Sequence, residues 1–206
     1  MVWNGLLGLA FLLLFDQLPA TVHLSTGPPP RVPAKTAETG LVILSASIDS
    51  TGNPTDPEVG QGSAPFVGPA IAAVRQWGFE TRNVKNPVPI TVAMLFRART
   101  PLPDHPFKFD MPAPLLMDSP PQPTLMIDPG YPTDAIGEGC VILQLQIDSS
   151  GKVQKTDVIQ NIPSLTPAAT RAVSQWKFLP ARQDGKAVPG TAIAVISFLR
   201  PVLSYS

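Results

Sequence analysis

The chain has one cysteine, Cys140, and two histidines, His23 and His105, among 206 residues. A lone cysteine excludes an internal disulfide, a Cys-rich zinc site and a redox pair. Two histidines, with no clustered cysteines or carboxylates, leave little material for a metal centre. Charge is scarce as well: charged residues make up 15% of the chain and the formal net charge is zero. No basic field is therefore present to attract nucleic acid or an anionic lipid surface. A phosphate-binding glycine loop, a nucleophile elbow and a zinc motif are also missing, so neither an enzyme nor a cofactor is expected. Cys140 heads a strand with no histidine near it in sequence and reads as a half-buried structural thiol. His23 and His105 sit in proline-rich stretches and read as solvated imidazoles.

Proline is abundant instead, with 26 residues against a usual share of about one in twenty. Most fall in two stretches, which divide the chain. Residues 17–39 read as a Pro-rich tether and 100–129 as a Pro-rich linker, since proline cannot occupy helix interiors or central strands. Phe107, Phe109, Leu115, Leu116 and Met117 make the linker too apolar to be a free spacer, and predict that it packs across a domain. At the N-terminus, the apolar run Gly5 to Phe15 is ended by Asp16. It is shorter than the roughly 20 residues of a spanning helix and matches the 7 to 15 or so of a signal-peptide core. Residues 1–16 are expected to be a signal peptide or short membrane anchor, so that the protein is exported or tethered to a membrane.

Between these stretches the chain repeats itself. Gly40 to Phe79 aligns without a gap on Gly139 to Phe178, with sixteen of forty positions identical. Ile48-Asp49-Ser50-Thr51-Gly52 matches Ile147-Asp148-Ser149-Ser150-Gly151, and Gln76-Trp77-Gly78-Phe79 matches Gln175-Trp176-Lys177-Phe178. In the second copy Val141, Leu143, Leu145 and Ile147 alternate with Ile142, Gln144, Gln146 and Asp148, the period of a strand with one buried face. Asp148 to Lys152 reads as a turn, and Val153 to Gln160 as its hairpin partner. Asp49 and Asp148 are turn residues, not a catalytic carboxylate pair. Thr166-Pro167 predicts a helix start, and Leu165, Ala169, Ala172, Val173 and Trp176 form its buried stripe. Thr191 to Phe198 is β-branched enough for a closing strand. The expected fold class is α+β: two β-β-α-β units, 40–99 and 130–206, each a three-stranded antiparallel sheet with a helix on one face. Trp77, Phe79, Trp176 and Phe178 are expected to be core anchors.

The second unit resembles the TonB C-terminal family. The residues that carry the resemblance are Tyr131-Pro132-Thr133-Asp134-Ala135, Gly139, Asp148 with Gly151, Trp176-Lys177-Phe178, Pro180-Ala181, Asp184-Gly185-Lys186 and Phe198. The first unit is a degenerate copy without the Tyr-Pro segment or the Asp-Gly-Lys loop. The resemblance implies a short helix at Tyr131 to Ala135 and a periplasmic protein of TonB-dependent uptake. It also implies that an extended segment of an outer-membrane receptor is captured as an added strand. The receiving edge would be Thr191, Ile193, Val195, Ser197 and Phe198, with Asp128 and Tyr131 nearby. Family transducers also engage inner-membrane motor proteins through an N-terminal helix that carries a histidine. Gly5 to Phe15 has none, which favours a binding or adaptor role. The rival reading is a structural module in which the units pair with each other, or the closing strand pairs within a homodimer.

Overall fold

The computed structural model describes residues 20–33, 39–55, 57–99, 108–110 and 117–201. The apolar N-terminal run, His105, Phe107, Leu115 and Leu116 lie outside them. Among the described residues no helix is long and apolar enough to cross a membrane.

Each unit forms the elements its sequence favours. In the first, β2 (Gly40–Ile48) and β3 (Glu58–Gly62) are a hairpin, α1 (Val67–Val74) follows, and β4 (Gly78–Arg82) leads to β5 (Val88–Phe96). In the second, β8 (Gly139–Ile147) and β9 (Val153–Gln160) are the hairpin and α2 (Thr166–Val173) follows. Beyond it come β10 (Lys177–Leu179), β11 (Ala181–Gln183), β12 (Lys186–Val188) and β13 (Gly190–Phe198). The stretch from Pro180 to Pro189 is thus a second hairpin, not an irregular loop. It turns at Asp184 and Gly185, both at positive φ, as a two-residue hairpin turn requires. Thr166 lies one residue inside α2 and its hydroxyl accepts a bond from the Ile162 N–H, which closes the loop before the helix.

The two turns explain why the repeat keeps a glycine far from its aromatic pair. Gly52 and Gly151 adopt φ of +86° and +82°, and a Cβ on either would sit 1.9 Å from the Phe79 or Phe178 carbonyl oxygen. The Phe79 N–H donates to the Gly52 carbonyl at 2.9 Å and the Phe178 N–H to that of Gly151 at 3.1 Å. Each hairpin tip is therefore clamped onto the strand that follows the helix. Asp49 and Asp148 shape these tips by accepting bonds from the backbone two and four residues ahead.

Two separate three-stranded sheets are not what forms. The units share one six-stranded sheet in the order β3-β2-β5-β13-β8-β9, antiparallel except at its centre, where β5 and β13 run parallel from Thr191 beside Ile90 to Ser197 beside Phe96. The two copies are thus related by an approximate two-fold parallel to the strands, which turns the sheet over and places α1 and α2 on opposite faces. Both cores are shared. The α2 face gathers Ala169, Val173 and Trp176 with strand residues of both units, including Leu41, Ile43 and Leu95. The α1 face gathers Ala70, Val74 and Trp77 with Ile142, Ile193 and Val195 from the second unit. This sharing corrects the expectation of one buried face on β8: Ile142 and Gln144 are as buried as Val141, and Gln146 is the exposed position.

Described parts of the segments read as tether and linker form strands. β1 (Thr21–Thr26) pairs antiparallel with β4, and β7 (Gln122–Ile127) occupies the equivalent place against β10. A short β6 (Lys108–Asp110) extends the second pairing. Pro123 is tolerated because β6 spans only Leu125 to Ile127 of β7, leaving the proline beyond its reach. The Trp77 indole donates to the Pro28 carbonyl and that of Trp176 to Ile127, each at 3.0 Å. Since 28 and 127 stand 99 residues apart, like Gly40 and Gly139, the repeat starts well upstream of Gly40. His23 is exposed on β1 rather than in a free tether.

Candidate functional site: the seam between the units

β13, the expected receiving strand, is paired along both sides. It meets β8 from Gly190 to Phe198 and β5 from Thr191 to Ser197. Ile193 and Phe198 have no exposure, Val195 and Ser197 are 1% exposed, and Thr191 is half-buried at the strand's start. A strand with both ladders occupied has no edge to offer. The physical reason is that β5 and β13 are equivalent strands, so the same apolar, β-branched pattern makes each the other's complement.

Asp128 is likewise enclosed. Its Oδ1 accepts from Arg97 Nε at 2.7 Å and from the Gly130 N–H at 2.9 Å, and both charged side chains are essentially inaccessible. Arg97 leaves the end of β5, its guanidinium lies 5.8 Å from the Phe198 ring centroid, and its backbone N–H donates to Ser197 Oγ. One residue of the first unit thereby ties together the start and the end of the second. Tyr131 is buried too, and its hydroxyl donates toward the Ala135 and Gly137 carbonyls, closing a turn where a short helix was expected. Proline at 132 and glycine at 137 leave too few residues for a stable helix.

The clasp is reciprocal. Gln144, on β8 of the second unit, binds the strand that precedes the first: its Oε1 accepts from the Leu24 N–H at 2.8 Å and its Nε2 donates to the Val22 carbonyl at 2.9 Å. Thr91, on β5 of the first unit, binds the segment that precedes the second through the Pro121 carbonyl. Gln144 and Thr91 were missed in sequence because a glutamine alternating with apolar residues reads as a solvent-facing position. The available signal was the β1 alternation of Val22 and Leu24, which needed a partner. Cys140 is 3% exposed beside Pro30, and burial pushes its thiol up to about 12, which keeps it protonated and unreactive. Trp77, Phe79, Trp176 and Phe178 all lie in the two cores. No group of three or more His, Cys, Asp and Glu able to hold a metal occurs among the described residues.

The seam leaves β3 and β9 as the outer edges of the sheet. β3 is exposed along its length and carries two glycines, while β9 is longer and half-buried. Comparison with curated proteins returns no match, and comparison with solved structures returns none. The family model described as Gram-negative bacterial TonB protein C-terminal matches twice, over residues 30–97 and 128–199. Together the two matches cover most of the chain, and each begins just after the residue that its tryptophan indole binds, Pro28 or Ile127. The chain belongs to the Gram-negative bacterial TonB protein C-terminal family, whose domains are non-enzymatic interaction modules of the cell envelope and TonB-dependent transport.

Proposed function

We propose that this protein is a periplasmic assembly and binding module in which two TonB C-terminal units close each other's principal strand edge, without itself transducing energy. The pairing of β13 on both sides carries this reading. An edge strand attracts an extended segment because its N–H and C=O groups lack partners, and here β5 supplies those partners from within the chain. Asp128, Tyr131, Thr191, Ile193, Val195, Ser197 and Phe198 would then act in holding the units together rather than in touching a receptor. The test is titration of the intact protein with extended peptides from the periplasmic ends of outer-membrane receptors, followed by amide chemical shifts of β13. The expected result is no shift of Thr191 to Phe198 at millimolar peptide. Saturable shifts along that strand would overturn the reading.

A second reading keeps the family's strand addition. It is favoured by β3 and β9, the outer strands of the sheet among the described residues. A receptor segment would then dock on β3 or β9, and the same titration would show shifts confined to those strands.

A further inference from the structure

The outer edge of β9 is patterned for a specific partner. Two bulges, between Val153 and Lys155 and between Val158 and Gln160, leave Lys155 to Val158 as its regular stretch. Lys155 and Asp157 lie opposite Gln146 and Gln144 and so share one sheet face, while Thr156 and Val158 lie opposite Leu145 and Leu143 on the other. Lys155 Nζ is 2.8 Å from Asp157 Oδ1, its side chain is 59% exposed, and Val158 is 47% exposed.

We propose that β9 is a self-association edge, pairing antiparallel with β9 of a second copy and centred on Thr156. The register follows from geometry and charge. A two-fold axis normal to a sheet returns each face to itself, so a residue can face only itself or one an even number of places away. With Thr156 facing itself, Lys155 of each copy stands opposite Asp157 of the other, giving two opposite-charge cross-strand pairs. Shifting to either neighbouring register sets Lys155 against Lys155 or Asp157 against Asp157. Both alternatives are repulsive, so the charge pattern selects one register and excludes its neighbours. The centred register also lays Gln154 of one copy against the exposed Val158 of the other. β3 lacks such a pattern: Glu58 is its only charged residue, and Gly60 and Gly62 offer no side chains. The flanking bulges limit the pairing to a few residues, which buries less than the roughly 1,000 Å² of a stable interface, so association is weak and concentration-dependent. The proposal does not depend on the β5–β13 seam, and it occupies one of the two edges on which the second reading would dock a receptor segment.

Sedimentation equilibrium of the intact chain from micromolar to millimolar concentration tests it. Lys155→Asp or Asp157→Lys alone should weaken dimerisation at least about tenfold, and the double swap should return it to within about threefold of the parent. Thr156→Cys should give a disulfide-linked dimer on mild oxidation, whereas Val158→Cys should not, since Val158 does not face itself. Circular dichroism checks that each variant remains folded. A parent chain that stays monomeric across the range would overturn the proposal, as would single swaps that associate like the parent, a double swap that fails to restore association, or equal crosslinking of the two cysteine variants.

Discussion

The two units are built from equivalent parts but are not equivalently embedded. Both keep a tip glycine, a buried tryptophan bonded to the segment before its unit, and a closing strand at the centre of the sheet. Only the second has an acidic residue at its entrance: the position matching Asp128 in the first unit is Pro29, and that matching Arg97 is Leu199. The shared parts are those that fold a unit. The parts found once, Arg97 with Asp128 and Gln144 with β1, are those that join the units. Duplication thus supplied two equal halves, and divergence at a few buried polar positions fixed how they lock.

The largest effects should come from breaking that asymmetric lock. Asp128→Asn leaves the Arg97 guanidinium buried with a neutral partner and should cost about 3–5 kcal/mol in urea unfolding, while Arg97→Met with Asp128→Leu should lose far less. Equal losses for the single and double variants would show that packing, not charge, governs the site.

The next test asks whether the tips are truly equivalent. Gly52→Ala and Gly151→Ala each drive a Cβ into a backbone carbonyl at positive φ, and each should cost about 2–4 kcal/mol by the same measurement. A large cost at one tip alone would break the equivalence.

Gln144 sharpens the comparison further. Gln144→Leu orphans the Leu24 N–H and the Val22 carbonyl and should cost about 1–3 kcal/mol. Ser45→Ala, at the matching position of the first unit, should change stability by less than about 0.5 kcal/mol.

The smallest effect concerns pH. Hydrogen bonds from the Lys152 backbone, with those from Ser150 and Gln154, hold Asp148 well below its ordinary value of 3.8. Asp49 is lowered in the same way, chiefly by Thr51. A carboxylate whose folded pKa is depressed stabilises the fold above its unfolded pKa, and that contribution is lost as pH falls through the folded value. The urea midpoint should therefore fall more between pH 5 and about pH 2 for the parent than for Asp148→Asn. Identical acid profiles would remove Asp148 from the account.

Much of each unit was legible in the sequence. The alternation of Val141 to Ile147, the glycine-bearing turns and the stripe from Leu165 to Trp176 report contacts close in sequence or made by a single element. The assembly was not legible, for identifiable reasons. Prolines at 28–30 and 120–123 read as spacers, although β1 and β7 need ladder bonds only where those prolines do not intrude. Gln144 read as solvent-facing because period two cannot distinguish water from a backbone strand laid across the sheet. The apolar, β-branched run at Thr191 to Phe198 read as the closing strand of a three-stranded sheet, and nothing in its pattern could say that its second ladder belongs to β5, some hundred residues earlier.

The parallel seam between β5 and β13 is the central claim, and residue-resolved amide hydrogen exchange of the free intact protein addresses it most directly. The account predicts slow exchange for every amide from Ala192 to Ser197, those directed at β5 as well as those directed at β8. Alternating fast and slow amides along β13 would mean that one of its edges is open, and would contradict the seam.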